Sequence, residues 1–79
     1  MSAEDAERLA LLRTVAAQWQ GEWTTRRAQH LYAARFGPGD WRRKARLDLD
    51  VLARQGLLVE AGPENRRHFT LNLWNGASL

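Results

Sequence analysis

Residues 40–73 read DWRRKARLDLDVLARQGLLVEAGPENRRHFTLNL. From Asp40 to Arg54 the apolar side chains recur at helical spacing. On a wheel of about 100° per residue, Trp41, Ala45, Leu49 and Leu52 fall on one side and Arg43, Arg46, Asp50 and Arg54 on the other, with Arg42 and Lys44 on the shoulders. Asp40 has the side chain of an N-cap, and Gly56 that of a C-cap whose left-handed backbone turns the chain directly into the strand start Leu57-Leu58-Val59. Gly62-Pro63-Glu64-Asn65 reads as a turn. The second strand opens with Arg66 and Arg67, then alternates Phe69, Leu71 and Leu73 facing in against His68, Thr70 and Asn72 facing out. A helix with one basic face thus feeds a hairpin with a basic tip.

Upstream, Ser2 is the expected cap of a first helix whose Glu4, Asp5 and Glu7 complement the positive end of the helix dipole. Leu9, Leu12, Val15, Ala16 and Trp19 follow at core spacing. Gly21 ends that helix, and Glu22-Trp23 is short enough to be a single β-bridge covering the hairpin edge. Thr24 caps a second helix running to about Phe36, with Ala28, Leu31, Tyr32 and Phe36 inward and Arg26, Arg27 and Arg35 outward. Gly37-Pro38-Gly39 stops it. The expected fold class is α+β: three helices, a short strand and a C-terminal two-stranded β-wing. Residues 1–74 form one domain, and residues 75–79 a flexible tail that Trp74 can anchor.

A chain of 79 residues supports one small core and buries only about 60% of its unfolded surface. Its 44% hydrophobic and 27% charged residues are globular proportions. The absence of cysteine removes disulfides, thiolate zinc sites and cysteine nucleophiles together. No segment approaches the roughly 20 apolar residues of a membrane span, and the N-terminus carries acids where a signal peptide needs basic residues. A cytoplasmic location is therefore expected. The net charge of +3 is unevenly spread: residues 26–79 hold ten basic residues against five acids, so positive potential belongs to the second part of the chain. Eleven of the twelve basic residues are arginine. That bias fits a GC-rich coding sequence as well as it fits guanidinium forks suited to phosphates and guanine edges.

Helix, short strand, helix, turn, helix and two-stranded wing is the order of the winged helix-turn-helix domain, which nearly the whole chain resembles. The segment Lys44 to Val59 is similar to the passage from recognition helix to wing in bacterial regulators of the DeoR, GntR and MarR type. In the DeoR-like pattern a Thr-x-Arg-Arg-Asp-Leu stretch precedes a leucine, two or three residues and Gly-Leu. Arg46, Asp48, Leu49, Leu52, Gly56 and Leu57 match it, while Lys44 replaces the threonine and Leu47 the second arginine. Those departures bear on subfamily and base preference; the matching apolar positions are the ones that pack.

The resemblance implies sequence-specific binding of double-stranded DNA, with the third helix in the major groove and the wing on the minor groove or the backbone, as in a bacterial, plasmid or phage transcriptional regulator. Arg43 and Arg46 are the expected base readers, each able to fork onto guanine O6 and N7. Arg42, Lys44, Arg26 and Arg27 suit phosphates, and Asn65, Arg66 and Arg67 lie where a wing tip meets the minor groove. Arg26 and Arg27 oppose the dipole of the second helix, a conflict that a nearby phosphate relieves. A plainer reading makes Arg46, Asp50 and Arg54 a row of solvated ion pairs. Asp48, beside the apolar face, is expected to orient packing through an ion pair, and Asp50 either tunes its arginine neighbours or marks where contact ends.

A homodimer is expected on length grounds, with Leu11, Leu12 and Val15 or Trp74 as contacts. The tryptophans at 19, 23 and 41, Tyr32 and Phe36 are expected in the core rather than as stacking platforms. His30 and His68 sit on different elements without a carboxylate at catalytic or metal-binding spacing, and Ser2 and Ser78 are terminal. No enzyme activity, cofactor, metal or small-molecule ligand is expected. The rival reading is a winged-helix protein-interaction module of a replication, anti-defence or assembly complex, its basic face meeting an acidic partner. Double-stranded RNA fits less well, because the A-form major groove does not admit a reading helix.

Overall fold

The computed structural model describes residues 2–18, 21–63 and 66–72. The expectations for Trp19, Asn65, Leu73, Trp74 and the tail 75–79 lie outside these residues. Helix α1 spans Ala3–Gln18. The Ser2 hydroxyl accepts a hydrogen bond from the Asp5 amide at 3.2 Å, and Glu4 and Asp5 occupy the first turn, so cap and dipole act together. Helix α2 spans Thr25–Phe36, and the Thr24 side chain accepts from the Arg27 amide at 3.2 Å.

Helix α3 spans Arg42–Arg54 and begins differently from expectation. Trp41, not Asp40, is the N-cap residue, and no side-chain cap hydrogen bond forms. The cause is tertiary. The Trp41 indole donates to the Gly37 carbonyl at 2.8 Å and packs against Tyr32 and Phe36, with ring centroids 5.9 and 5.7 Å away. That packing leaves the ring half-buried at the start of α3 and Asp40 exposed.

At the other end of α3, Gly56 has φ of 84°. The Leu57 and Gly56 amides donate back to the Leu52 and Ala53 carbonyls at 3.0 and 3.1 Å. This paired closure uses the left-handed backbone that glycine adopts without a Cβ clash. Strand β1, Leu58–Ala61, then pairs antiparallel with β2, His68–Leu71, with Leu58 opposite Leu71 and Ala61 opposite His68. The turn between them is tight: a Cβ on Gly62, whose φ is 92°, would lie 2.6 Å from the Arg66 carbonyl oxygen. Trp23 adds one antiparallel bridge to β2, exchanging hydrogen bonds of 2.6 and 2.7 Å with Phe69. Three helices followed by a two-stranded antiparallel sheet give an α+β layout consistent with a winged-helix arrangement.

The core draws on every element: Leu9, Leu12 and Ala16 of α1, the bridge residue Trp23, Ala28 and Tyr32 of α2, Ala45, Leu49 and Leu52 of α3, Leu58 of β1 and Phe69 of β2. Leu12 is completely buried there, so it cannot supply the dimer contact expected of it; Leu11 and Val15 pack against the core while half-exposed. The inward and outward contrast expected along β2 is also softened. Phe69 is buried, but His68, Thr70 and Leu71 are all half-buried, because a ribbon of four residue pairs is too small to shield its end.

Two charged residues lie within this core. Arg8 donates Nε to Asp48 Oδ2 at 2.6 Å and Nη2 to Oδ1 at 3.2 Å, and the Tyr32 hydroxyl donates to the same carboxylate at 2.7 Å. Arg8 Nη1 also reaches Asp5 at 2.8 Å. The hydrogen bond to Asp48 holds the Arg8 guanidinium firmly protonated, and burial, then the bond to Asp48, pushes the Tyr32 phenol up. On the outer side of this cluster, the bonds from Arg8 and Ser2 keep the Asp5 carboxyl below its ordinary value. Asp48 is thus the packing residue that its position beside the apolar face implies, joining all three helices.

Candidate functional site

The start of α2, one flank of α3 and the hairpin enclose a groove of about 380 Å³, lined by Thr24, Thr25 and Arg26, by Arg42, Arg46 and Asp50, and by Arg66, Arg67 and Phe69. Each contribution follows from local sequence. The Thr24 cap starts α2 so that residues 25 and 26 open toward the groove. A spacing of four puts Arg42, Arg46 and Asp50 on one side of α3. The glycine-closed turn at Gly56 folds the hairpin back over that same side, with Arg66 and Arg67 leading into β2. Arg42 and Arg46 therefore share one surface with Arg66 and Arg67.

Electrostatically the groove is lopsided: among the described residues, five guanidinium groups and one carboxylate line it. Neither α2 nor α3 has an acid in its first turn. Arg26 and Arg27 occupy that turn in α2, and Arg42, Arg43 and Lys44 in α3. Cations beside a helix N-terminus are unfavourable by about 0.3–1 kcal/mol each, and an anion supplied from outside reverses the sign. Helix α1 in the same chain obeys the opposite rule. The groove is chemically suited to a polyanion that meets two helix starts and a hairpin at once.

The expected site residues separate into groups. Arg26, Arg42, Arg46, Arg66 and Arg67 line the groove. Arg67 is steadied by Glu60 across the hairpin at 3.2 Å. Arg43 is exposed on the outermost side of α3, beside Leu47, which is 52% exposed. Arg27 stacks on Trp23, its guanidinium carbon 4.1 Å from the ring centroid, and donates to the Glu22 carbonyl at 2.8 Å. Lys44 lies over Trp41 at 5.1 Å and borders a second groove of about 240 Å³ with Glu4, Glu7, Arg8, Phe36 and Trp41. Asn65 is outside the described residues.

Sequence reasoning did not assign Thr25 to the groove, nor single out Leu47 as an exposed apolar side chain beside Arg43. Thr25 was legible as the residue after a strong cap, and Leu47 as the one apolar side chain on the arginine side of the α3 wheel. The row of ion pairs along α3 does not form: among the described residues no ion pair joins Asp50 to Arg46 or Arg54. His30 is exposed on α2 and His68 half-buried on β2. Among the described residues no group of three or more histidine, cysteine or carboxylate side chains is placed to hold a metal. No helix among them is long and apolar enough to cross a membrane. Compared with known proteins, the chain matches no family model, no curated protein and no solved structure.

Proposed function

We propose that the chain is a sequence-specific double-stranded DNA-binding protein that regulates transcription from the cytoplasm of its host by occupying a site. Helix α3 enters the major groove, and the hairpin reaches the minor groove or the backbone. Arg43 and Arg46 read guanine edges; Arg26 and Arg42, at the two helix starts, hold phosphates; Arg66 and Arg67 contact the duplex from the wing. The observation that carries this reading is the convergence of five arginines from three elements on one groove at helix starts that lack acids. The width of an α-helix and the order of the elements agree with it.

Two copies on adjacent half-sites supply the length of DNA that one domain of this size does not read alone, with Leu11 and Val15 of α1 as the contact. The test is duplex binding against salt. Several phosphate contacts make affinity fall about a hundredfold or more between 50 and 200 mM salt. An absence of duplex binding at low salt would overturn the proposal and favour an acidic protein as the partner of the same face. Selection of bound sequences from random DNA then tests specificity and half-site spacing together.

A further inference from the structure

Among the described residues lining the arginine groove, Asp50 is the only acid. It is half-buried and follows Arg46 by one helical turn, the spacing at which a carboxylate and a guanidinium normally pair. They do not pair. The nearby arginines are engaged otherwise or reach into the groove: Arg67 bonds to Glu60 at 3.2 Å, and no ion pair to Asp50 forms among the described residues. The carboxylate therefore lines the groove without a protein partner among the described residues.

A carboxylate in that position repels phosphate and meets a duplex favourably only where a donor is presented to it. The major groove offers two exocyclic amines. Adenine N6 lies beside N7, whose lone pair opposes a carboxylate; cytosine N4 has no acceptor next to it on its own base, and it is the amine from which Asp and Glu accept. Asp50 stands on the same flank of α3 as Arg46, about 6 Å further along the axis, so the two side chains address neighbouring base pairs.

We propose that Asp50 is a specificity-determining residue of the groove, accepting a hydrogen bond from a cytosine N4 amine in the major groove and excluding phosphate from that position. The inference rests on the DNA-binding reading and deepens it by naming a base.

The test is selection of bound duplexes from a random pool by the full chain, its Asp50→Ala variant and its Asp50→Asn variant, followed by titration of the selected duplexes at fixed salt. The original chain prefers cytosine at one position by about tenfold. Asp50→Ala loses that preference at that position alone and binds mixed-sequence duplex more tightly. Asp50→Asn moves the preference to adenine, because an amide presents a donor to N7 and an acceptor to N6. Melting curves confirm that both variants are folded; a merely structural role for Asp50 changes those curves and leaves base preference alone. Identical preferences in all three proteins, with duplex binding intact, overturn this inference and leave the DNA-binding reading standing. A failure of the original chain to bind any duplex at low salt overturns both.

Discussion

Arg8 and Asp48 are forty positions apart in the chain and meet through two hydrogen bonds of 2.6 and 3.2 Å, with side chains only 8% and 7% exposed. A forked contact of this kind fixes orientation as well as distance. Because Tyr32 bonds to the same carboxylate, α1, α2 and α3 are tied together at one point on the buried side of α3. The groove on its other flank inherits that geometry.

Removing one charge from this pair leaves the other buried with only a lesser contact, Asp5 for Arg8 or the Tyr32 hydroxyl for Asp48. Arg8→Ala or Asp48→Ala is expected to cost about 3–5 kcal/mol, which is severe against a total stability of roughly 5–15 kcal/mol for a domain. The double replacement Arg8→Met with Asp48→Leu removes both desolvated charges and is expected to recover most of the loss. Urea unfolding followed by tryptophan fluorescence measures all three. Single variants no less stable than the double would show that the charges reach water in solution.

Tyr32 gives the pair an optical reporter, since it is the only tyrosine of the chain. Burial pushes its phenol above the ordinary value of about 10, so the folded chain holds this proton more tightly than the unfolded chain does. The resulting stability is fully present below about pH 10 and is lost as pH rises from there toward the raised folded value, where the unfolded chain ionises first. Tyrosinate absorbance is therefore expected to appear only above the ordinary range and together with alkaline unfolding. In denaturant it returns to about pH 10. Ionisation at the ordinary pH while the fold persists would contradict the buried hydroxyl.

The parts of the fold legible in the sequence are those governed by neighbouring residues. The Thr24 hydroxyl caps the turn that follows it, Gly56 closes the helix before it, and the single bridge at Trp23 follows from two extended residues trapped between a glycine and a cap. The start of α3 was not legible, because Asp40 has the chemistry of a cap and loses to the packing of the Trp41 ring against Tyr32 and Phe36. Arg42 and Lys44 are equivalent shoulders on a helical wheel. Only the side to which the hairpin folds back separates them, sending Arg42 into the groove and Lys44 over Trp41. Asp48 announced that it needed a partner, but nothing local named Arg8. Leu12 was legible as core from its spacing with Leu9 and Ala16, which its complete burial bears out over its second reading as a dimer contact.

Arg26 and Arg27 are adjacent, yet their surroundings predict opposite behaviour. Arg27 is held by the Trp23 ring and the Glu22 carbonyl, so Arg27→Ala is expected to lower stability by about 0.5–1 kcal/mol and to leave the salt dependence of duplex binding nearly unchanged. Arg26 is exposed at the groove. Its replacement by alanine is expected to leave the melting curve alone and to reduce the slope of log affinity against log salt by about 0.9, one phosphate contact. Paired melts and salt titrations distinguish the two; equal slopes for both variants would remove the distinction.

Arg46 and Arg66 face the same groove from different elements, and the elements determine what each can do. Arg46 projects from a helix that fits the major groove, where a fork onto guanine discriminates by about 1–3 kcal/mol. On the proposed docking, Arg66, which leads into β2, meets the backbone and the minor groove, where the base pattern is degenerate. Arg46→Ala is therefore expected to flatten preference at one base pair while mixed-sequence affinity falls only modestly. Arg66→Ala is expected to weaken every duplex alike and to lower the salt slope. Competition titrations with a selected duplex and with single-base variants separate the outcomes. Unchanged discrimination in Arg46→Ala would take the reading role away from Arg46 and leave Arg43 as the reader on α3.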